Sequence, residues 1–347
     1  MDEIQECPDA VTALKFLEKE KNFDIIASGS MLGIDYKRPT SYPVGSIQYI
    51  NMFSLSFKEF LYASGVTDDI ISELNNCFLN RSMVPWAIHD KIMEYLRLYM
   101  IIGGMPEAVN LYFENASIAD ADKKIRDILN DYRYDIAHYA KADIKIKAES
   151  CYFSLPNQLS KENHKFMYSN VEKGGTSRKY ASSIDWLTGA YMVKMAYNIS
   201  GYDLPLSSRT IKDNFRVYPT DIGLLVGMFD LSVKESILHP ENDTLNPMLK
   251  GGLYESLVAD MLIKNGHSGL YFKKNETSTF EIEFLVEKEH RIIPIEVKSG
   301  NWRYHSSIDK FRAKFHGYIG TPCILYIKDV QIKDGIPHLP IFMAMFL

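Results

Sequence analysis

The chain of 347 residues has no G-x-x-x-x-G-K-[ST] loop; its nearest glycine cluster, Gly174-Gly-Thr-Ser-Arg-Lys179, has the wrong spacing. The backbone amides and lysine of such a loop cradle nucleotide phosphates, so nucleotide affinity is expected to be poor in this chain alone. Cysteine is scarce. Cys7, Cys77, Cys151 and Cys323 lie far apart without paired metal spacing, which reads as reduced thiols in a cytoplasmic protein. The nine histidines lack zinc-ligand spacing, and no Gly-x-Ser-x-Gly elbow points to a covalent hydrolase. No apolar run approaches the ~20 residues that span a bilayer. No basic-then-apolar leader is seen, so neither a signal peptide nor a membrane partner is expected. Positive charge is not in excess either: 39 Lys and Arg face 44 Asp and Glu, a net charge of -5. That argues against a wholly basic nucleic-acid binder but leaves room for a local basic patch.

What is present is ordinary in bulk. Hydrophobic residues make up 46% and charged residues 24%, as in soluble globular proteins, and the length allows two or more domains. One stretch is specific. Phe280–Gly300 reads FEIEFLVEKEHRIIPIEVKSG, two alternating segments joined by a polar turn that cannot sit in a core. Residues two apart share a strand face, so Glu296 and Lys298 point the same way, as do Glu281 and Glu283 on the partner strand. Carboxylates set among Ile, Val, Leu and Phe are costly to bury unless paired or bound to metal. Two carboxylates on adjacent strands can hold a hard divalent ion. Such an ion activates water and offsets phosphate charge, with a nearby lysine as its electrostatic partner. The same residues also suit an ordinary hairpin with a solvated Glu–Lys pair.

Along the chain, Asp2-Glu3 is followed by a helical pattern over Asp9–Asn22 and a buried-type strand, Phe23–Ser30. Asn51–Leu55 reads as a short strand or turn, and Ser56–Ser64 as a helix opened by the capping box Ser56/Glu59. Helical spacing continues over Thr67–Asn80, Val84–Met100 and Ala119–Ala140, then Glu162–Val171 and Tyr180–Thr188, with strands at Tyr191–Ser200 and Phe215–Tyr218. Lys161, Lys165, Lys173, Arg178 and Lys179 face only Glu162 and Glu172, a local surplus of three positive charges. These residues suit phosphate contacts or a solvated helix pair. Asp221 reads as a helix cap, His239-Pro240 and Asn246-Pro247 as a linker, and Gly252–Asn265 as a helix carrying Glu255.

The order GSMLG, PVGSIQYINMFSLSFKEFL, GGMPEAV, YRYDIAHYA, NFRVYPTDIGLLVGM resembles a family of predicted prokaryotic AAA+ ATPases with a C-terminal domain of unknown function. It extends over essentially the whole chain from Asp2. The resemblance implies a multidomain α/β protein: a truncated AAA+ core remnant (1–62) and helical lid (63–140), a winged-helix-like domain (141–237), and a restriction-endonuclease-like α/β domain (238–347). By the same resemblance Asp2 and Glu3 match the Walker B acids and Ser30 the polar sensor. ATP would then bind only if a missing first half were supplied. The hairpin resembles the PD-(D/E)xK nuclease arrangement, with Glu255 as the helix acid, Glu283 at the Asp position, Glu296 the second acid and Lys298 the lysine. Glu283 and Glu296 would hold Mg2+ or Mn2+. The family's usual aspartate is one methylene shorter than Glu283, and Glu281 is a stand-in. Expected roles are a metal-dependent nuclease-like protein acting on DNA, a non-catalytic DNA- or protein-interaction module, or a fragment of an ATP-driven machine. A protein partner or second copy would cover the edge left by missing strands.

Overall fold

The structure is a computed structural model that describes residues 1–20, 24–29, 45, 47–275, 280–300, 306–314 and 319–347. Helix α1 (Pro8–Leu17) follows a short 3-10 turn, Ile4–Glu6. The strand expected over Phe23–Ser30 is not formed by its described residues, 24–29. They run beside the first residues instead. The Met1 amino group donates to the Ile26 carbonyl at 2.8 Å, and Ser28 N–H donates to the Met1 carbonyl at 2.8 Å. The partner segment turns into the 3-10 helix at Ile4, so the pairing is too short to become a ladder.

Helices α2 (Phe57–Ala63), α3 (Asp68–Asn80), α4 (Trp86–Ile102), α5 (Pro106–Asn115) and α6 (Ile118–Tyr139) follow the expected spacing. The capping box holds: Ser56 N–H donates to Glu59 Oε2 at 2.7 Å, and Glu59 N–H donates to Ser56 Oγ at 3.3 Å. Helix α4 buries every residue from Leu98 to Ile102 and stops at Gly103, whose φ of 69° favours glycine. A side-chain carbon on Gly103 would meet Asp221 Oδ1 at 2.1 Å, and one on Gly104 would meet the Leu55 carbonyl at 1.9 Å. The Gly-Gly pair therefore lets three backbone segments converge.

Next come α7 (Lys145–Phe153), α8 (Leu155–Leu159), α9 (Tyr168–Val171) and α10 (Ser177–Gly189). The helix expected over Glu162–Val171 shrinks to α9. Its earlier backbone is spent on distant partners: Phe166 N–H donates to the Phe215 carbonyl at 2.9 Å, and Met167 N–H to Gln158 Oε1 at 3.0 Å.

Eight strands among the described residues form one mixed sheet: β1 (Val193–Ile199), β2 (Thr210–Pro219), β3 (Leu270–Lys274), β4 (Glu281–Lys288), β5 (Arg291–Val297), β6 (Cys323–Tyr326), β7 (Gln331–Lys333) and β8 (Ile336–Pro340). Their order is β2-β1-β3-β4-β5-β6-β8-β7. Strand β1 pairs antiparallel with β2 and parallel with β3. The two strands read as closing a winged helix thus belong to the same sheet as the β4–β5 hairpin. That hairpin turns through Glu289 and His290, at φ 50° and 58°, and β5 pairs parallel with β6.

Helices α11 (Ile222–Gly227), α12 (Leu231–Leu238), α13 (Pro247–Lys264) and α14 (Ser306–Lys314) complete the fold. Helix α13 is buried at Gly252, Leu253 and throughout Glu255–Ile263, the signature of a core helix. Its Leu257, Val258 and Leu262 share the larger apolar cluster with Phe284 and Ile295 of the sheet. Ile308 and Phe311 of α14 share a second cluster with Ile282, Leu285 and Ile324.

Where α4, α11 and α13 meet, Asp221 does more than cap α11. It is fully buried and accepts five donors: Gly223 N–H at 2.9 Å, Leu224 N–H at 3.3 Å, Gly104 N–H at 2.8 Å, Ser54 Oγ at 2.6 Å and Lys264 Nζ at 3.1 Å. Lys264 also pairs with Asp260 at 2.8 Å, and the Tyr99 hydroxyl donates to Asp260 at 2.8 Å. Burial alone would raise both acids, but the donors hold Asp221 below the ordinary carboxylate range. Asp260 has fewer, and burial pushes it up to about 6. Its folded-state pKa lies above its unfolded value. The stability it contributes is therefore present below pH ~4 and lost as pH rises through about 6. Asp260→Asn stays neutral throughout. Its urea midpoint should fall less than that of the wild type between pH 4 and 6.5, by the equivalent of about 2 kcal/mol. Parallel pH profiles of the two would sink this assignment. Asp221→Ala leaves three backbone N–H groups without their acceptor and Lys264 with Asp260 as its remaining counter-charge, and should cost ~3–5 kcal/mol in urea unfolding.

Candidate carboxylate site

The site is built on β4 and β5, with β3 beside β4 and β6 beside β5, and it draws further side chains from α13 and β2. The hairpin brings Lys298 to Glu296 as its spacing predicts: Lys298 Nζ lies 2.5 Å from Glu296 Oε1, and Lys298 N–H donates to the Leu325 carbonyl at 2.8 Å. Glu296 is only 2% exposed, and its second oxygen, Oε2, has no hydrogen-bond partner among the described residues. A buried carboxylate oxygen without a donor is rare and costly, and it calls for a cation or water.

Strict alternation placed Glu281 and Glu283 on one face, but the alternation breaks here. The pairing of β3 with β4 slips between Tyr271 and Lys273. As a result Ile282 and Leu285 pack in one apolar cluster and Phe284 in the other. Such bulges re-aim side chains beside functional sites. Glu283 Oε2 accepts the Val297 N–H at 3.3 Å. Burial pushes the Glu283 carboxyl up to about 8, aided by the charges of Glu296, Glu255 and Glu281 and opposed by Lys298. The Lys298 ammonium, disfavoured by burial, is held above its ordinary value by Glu283 and Glu296.

The other two carboxylates are already engaged. Glu255, 3% exposed on α13, accepts Arg216 Nη1 at 2.7 Å and the Tyr218 hydroxyl on Oε1, while His164 Nδ1 lies 2.6 Å from Oε2. Burial opposes its charge, yet Arg216, His164 and Tyr218 prevail and hold its pKa down to about 2. Glu281, the stand-in acid, takes Arg216 Nη2 on Oε1 and Lys274 Nζ at 2.7 Å on Oε2. The wholly buried Arg216 also stacks on Phe272, 4.2 Å from the ring centroid. Among the described residues, no three His, Cys, Asp or Glu side chains are grouped to hold a metal. Glu283 and Glu296 with an orphaned oxygen still fit one Mg2+-like ion, which commonly takes one or two carboxylates and fills its shell with water and phosphate oxygens.

The sequence reading missed Arg216, Tyr218, His164 and Lys274. One signal was available for two of them: Arg216 and Tyr218 sit two apart in the apolar run FRVYP. The basic stretch borders the site through His164. Lys161, Lys173, Arg178 and Lys179 are exposed, and Lys179 pairs with Glu172. At the amino terminus Asp2 accepts the Ser28 hydroxyl and the Glu3 N–H, which together hold its pKa below the usual value. Ser30, the expected sensor, lies outside the described residues. All four cysteines are free thiols, and no helix among the described residues is long and apolar enough to cross a membrane.

If Arg216 is the counterion of two buried acids, Arg216→Met should lower stability by ~3–5 kcal/mol at neutral pH. Glu255→Gln added to the same chain should restore part of that loss. A double-mutant cycle in urea measures the coupling, and simple additivity would refute the pairing.

Three family models match the chain. Residues 1–61 match an AAA domain, residues 93–235 a domain of unknown function (DUF8612), and residues 250–342 another domain of unknown function (DUF4143). Neither a curated protein nor a solved structure matches it.

Proposed function

We infer that the chain, which matches an AAA domain over residues 1–61 and two domains of unknown function beyond it, is related at its amino terminus to AAA-type ATPases. We propose that its carboxylate site cleaves phosphodiester bonds of DNA with a divalent ion, Mg2+ or Mn2+. The observation that carries this reading is the buried Glu296 Oε2, without a hydrogen-bond partner among the described residues, beside Lys298 and on a hairpin where burial raises the neighbouring Glu283 carboxyl. The order α13–β3–β4–β5–α14–β6, with β5 parallel to β6, supports it, because it sets the helix acid, the hairpin acids and the lysine in nuclease sequence.

Glu283 and Glu296 would hold the ion. An ion there supplies the charge that activates water and offsets the phosphate. Lys298, its side chain 30% exposed, reaches solvent from its contact with Glu296 and is placed to meet phosphate charge. Lys161 and Lys173 provide backbone contacts without base readout. A second reading, a DNA-binding module without cleavage, is favoured by one observation: Glu283 is tied to the Val297 N–H beside a slipped strand register.

Purified chain, tested on linear, supercoiled and branched DNA with Mg2+ or Mn2+, should cleave. Lys298→Ala and Glu296→Ala should each reduce the rate by about 10²–10³-fold. If the folded wild type cleaves none of these substrates in either metal yet still binds DNA, the second reading stands in place of the first.

A further inference from the structure

Around Lys264 there are fewer polar hydrogens than contacts for them while Asp260 is ionised. The Lys264 ammonium has three hydrogens, and three oxygens take them: the Tyr99 hydroxyl at 2.9 Å, Asp221 Oδ2 at 3.1 Å and the Leu55 carbonyl at 3.2 Å. Asp260 Oδ1 lies 2.8 Å from the same nitrogen but receives no hydrogen bond from the described residues, although Asp260 is 0% exposed. The Tyr99 hydroxyl has one hydrogen for two acceptors, the Leu55 carbonyl at 2.9 Å and Asp260 Oδ2 at 2.8 Å. One added proton removes the conflict. Placed on Asp260 Oδ2, it is donated to the Tyr99 oxygen, and the Tyr99 hydrogen is free for Leu55. Oδ1 is then a neutral carbonyl oxygen, for which lacking a donor costs less than for a charged one.

The charged groups that face Asp260 are Lys264 on its own helix and Asp221 at the start of α11. Tyr99 comes from α4, with Glu59 of α2 acting on it, and Tyr132 of α6 and Tyr152 of α7 lie in the field of Asp221. One ammonium thus serves two buried carboxylates, and Asp221, with more donors, keeps its charge. We infer that this cluster is a one-proton site in which Asp260 and Tyr99 together switch the hold on the Leu55 carbonyl. With the proton bound, both Tyr99 and Lys264 donate to Leu55. When it leaves, the Tyr99 hydrogen turns to the Asp260 anion, and Leu55 keeps the longer bond from Lys264. Burial raises the Asp260 carboxyl to about 6, which puts the change between mildly acid and neutral pH. Leu55 lies in the stretch matched at 1–61, Tyr99 and Asp221 in 93–235, and Asp260 and Lys264 in 250–342. The proton therefore sets how firmly the AAA-matched stretch is tied to the two that follow it.

The test is carbon NMR of the full chain, labelled with 13C at leucine carbonyls in one sample and at aspartate carboxyls in another. Spectra run from mildly acid to mildly alkaline pH, with folding checked by circular dichroism. The Leu55 signal is identified by its loss in Leu55→Ile, and the Asp260 signal by its loss in Asp260→Asn. In the wild type the two should titrate together, with one midpoint at about 6. In Asp260→Asn the amide donates to Tyr99 at every pH, so the Leu55 signal should stay at its acid-form position throughout. In Tyr99→Phe the Asp260 carboxyl should still titrate, while Leu55 should lose most of its shift. An Asp260 carboxyl that does not titrate in this range overturns the proton site. A Leu55 signal that stays fixed while Asp260 titrates overturns the switch, as does one that titrates unchanged in Asp260→Asn or Tyr99→Phe. Should either variant not fold, the two wild-type titrations still decide the matter.

Discussion

Asp221 holds together segments that are far apart in the chain. Its carboxylate, fully buried, gathers N–H groups from the turn after α4 and the start of α11, the Ser54 hydroxyl before α2, and the ammonium at the end of α13. In a low-dielectric interior each of these bonds is strong, and the loss of any partner leaves a costly orphan. The anion is fully satisfied and stays charged. Asp260, with fewer donors for its own carboxylate, becomes the proton-binding member of the cluster. The Gly103-Gly104 turn exists to allow this approach, since a side chain on either residue would collide with Asp221 or the Leu55 carbonyl.

The same helix that ends at Lys264 carries Glu255 earlier along its length. Helix α13 is thereby fixed at its end by Asp221 and in its middle by Arg216, with apolar contacts to the sheet between. This double anchoring makes the carboxylate site rigid on the α13 and β2 side. The hairpin side holds less positive charge: among the described residues, Glu283 and Glu296 share the one ammonium of Lys298. Two acids committed to protein cations and two short of one divide the site into a structural half and a half with chemical potential.

Features governed by neighbours in the chain were legible in advance. The Ser56/Glu59 capping box, Asp221 as a cap, the hairpin with its polar turn and the Glu296–Lys298 contact all depend on residues a few positions apart. The helix expected over Glu162–Val171 failed because Phe166 and Met167 spend their backbone groups on Phe215 and Gln158. The shared face of Glu281 and Glu283 failed for a related reason: the slip lies in the pairing with β3, which alternation within β4 does not reveal.

By itself, then, the sequence determined which residues carry charge into apolar strands and helices, and hence where charge must be compensated. Tertiary structure alone decided how. Glu255 finds Arg216 across 39 residues, Tyr218 across 37 and His164 across 91. The cost of burying a charge is offset by a counter-charge within about 4 Å, and at that distance spacing along the chain carries no information once the backbone has folded back on itself.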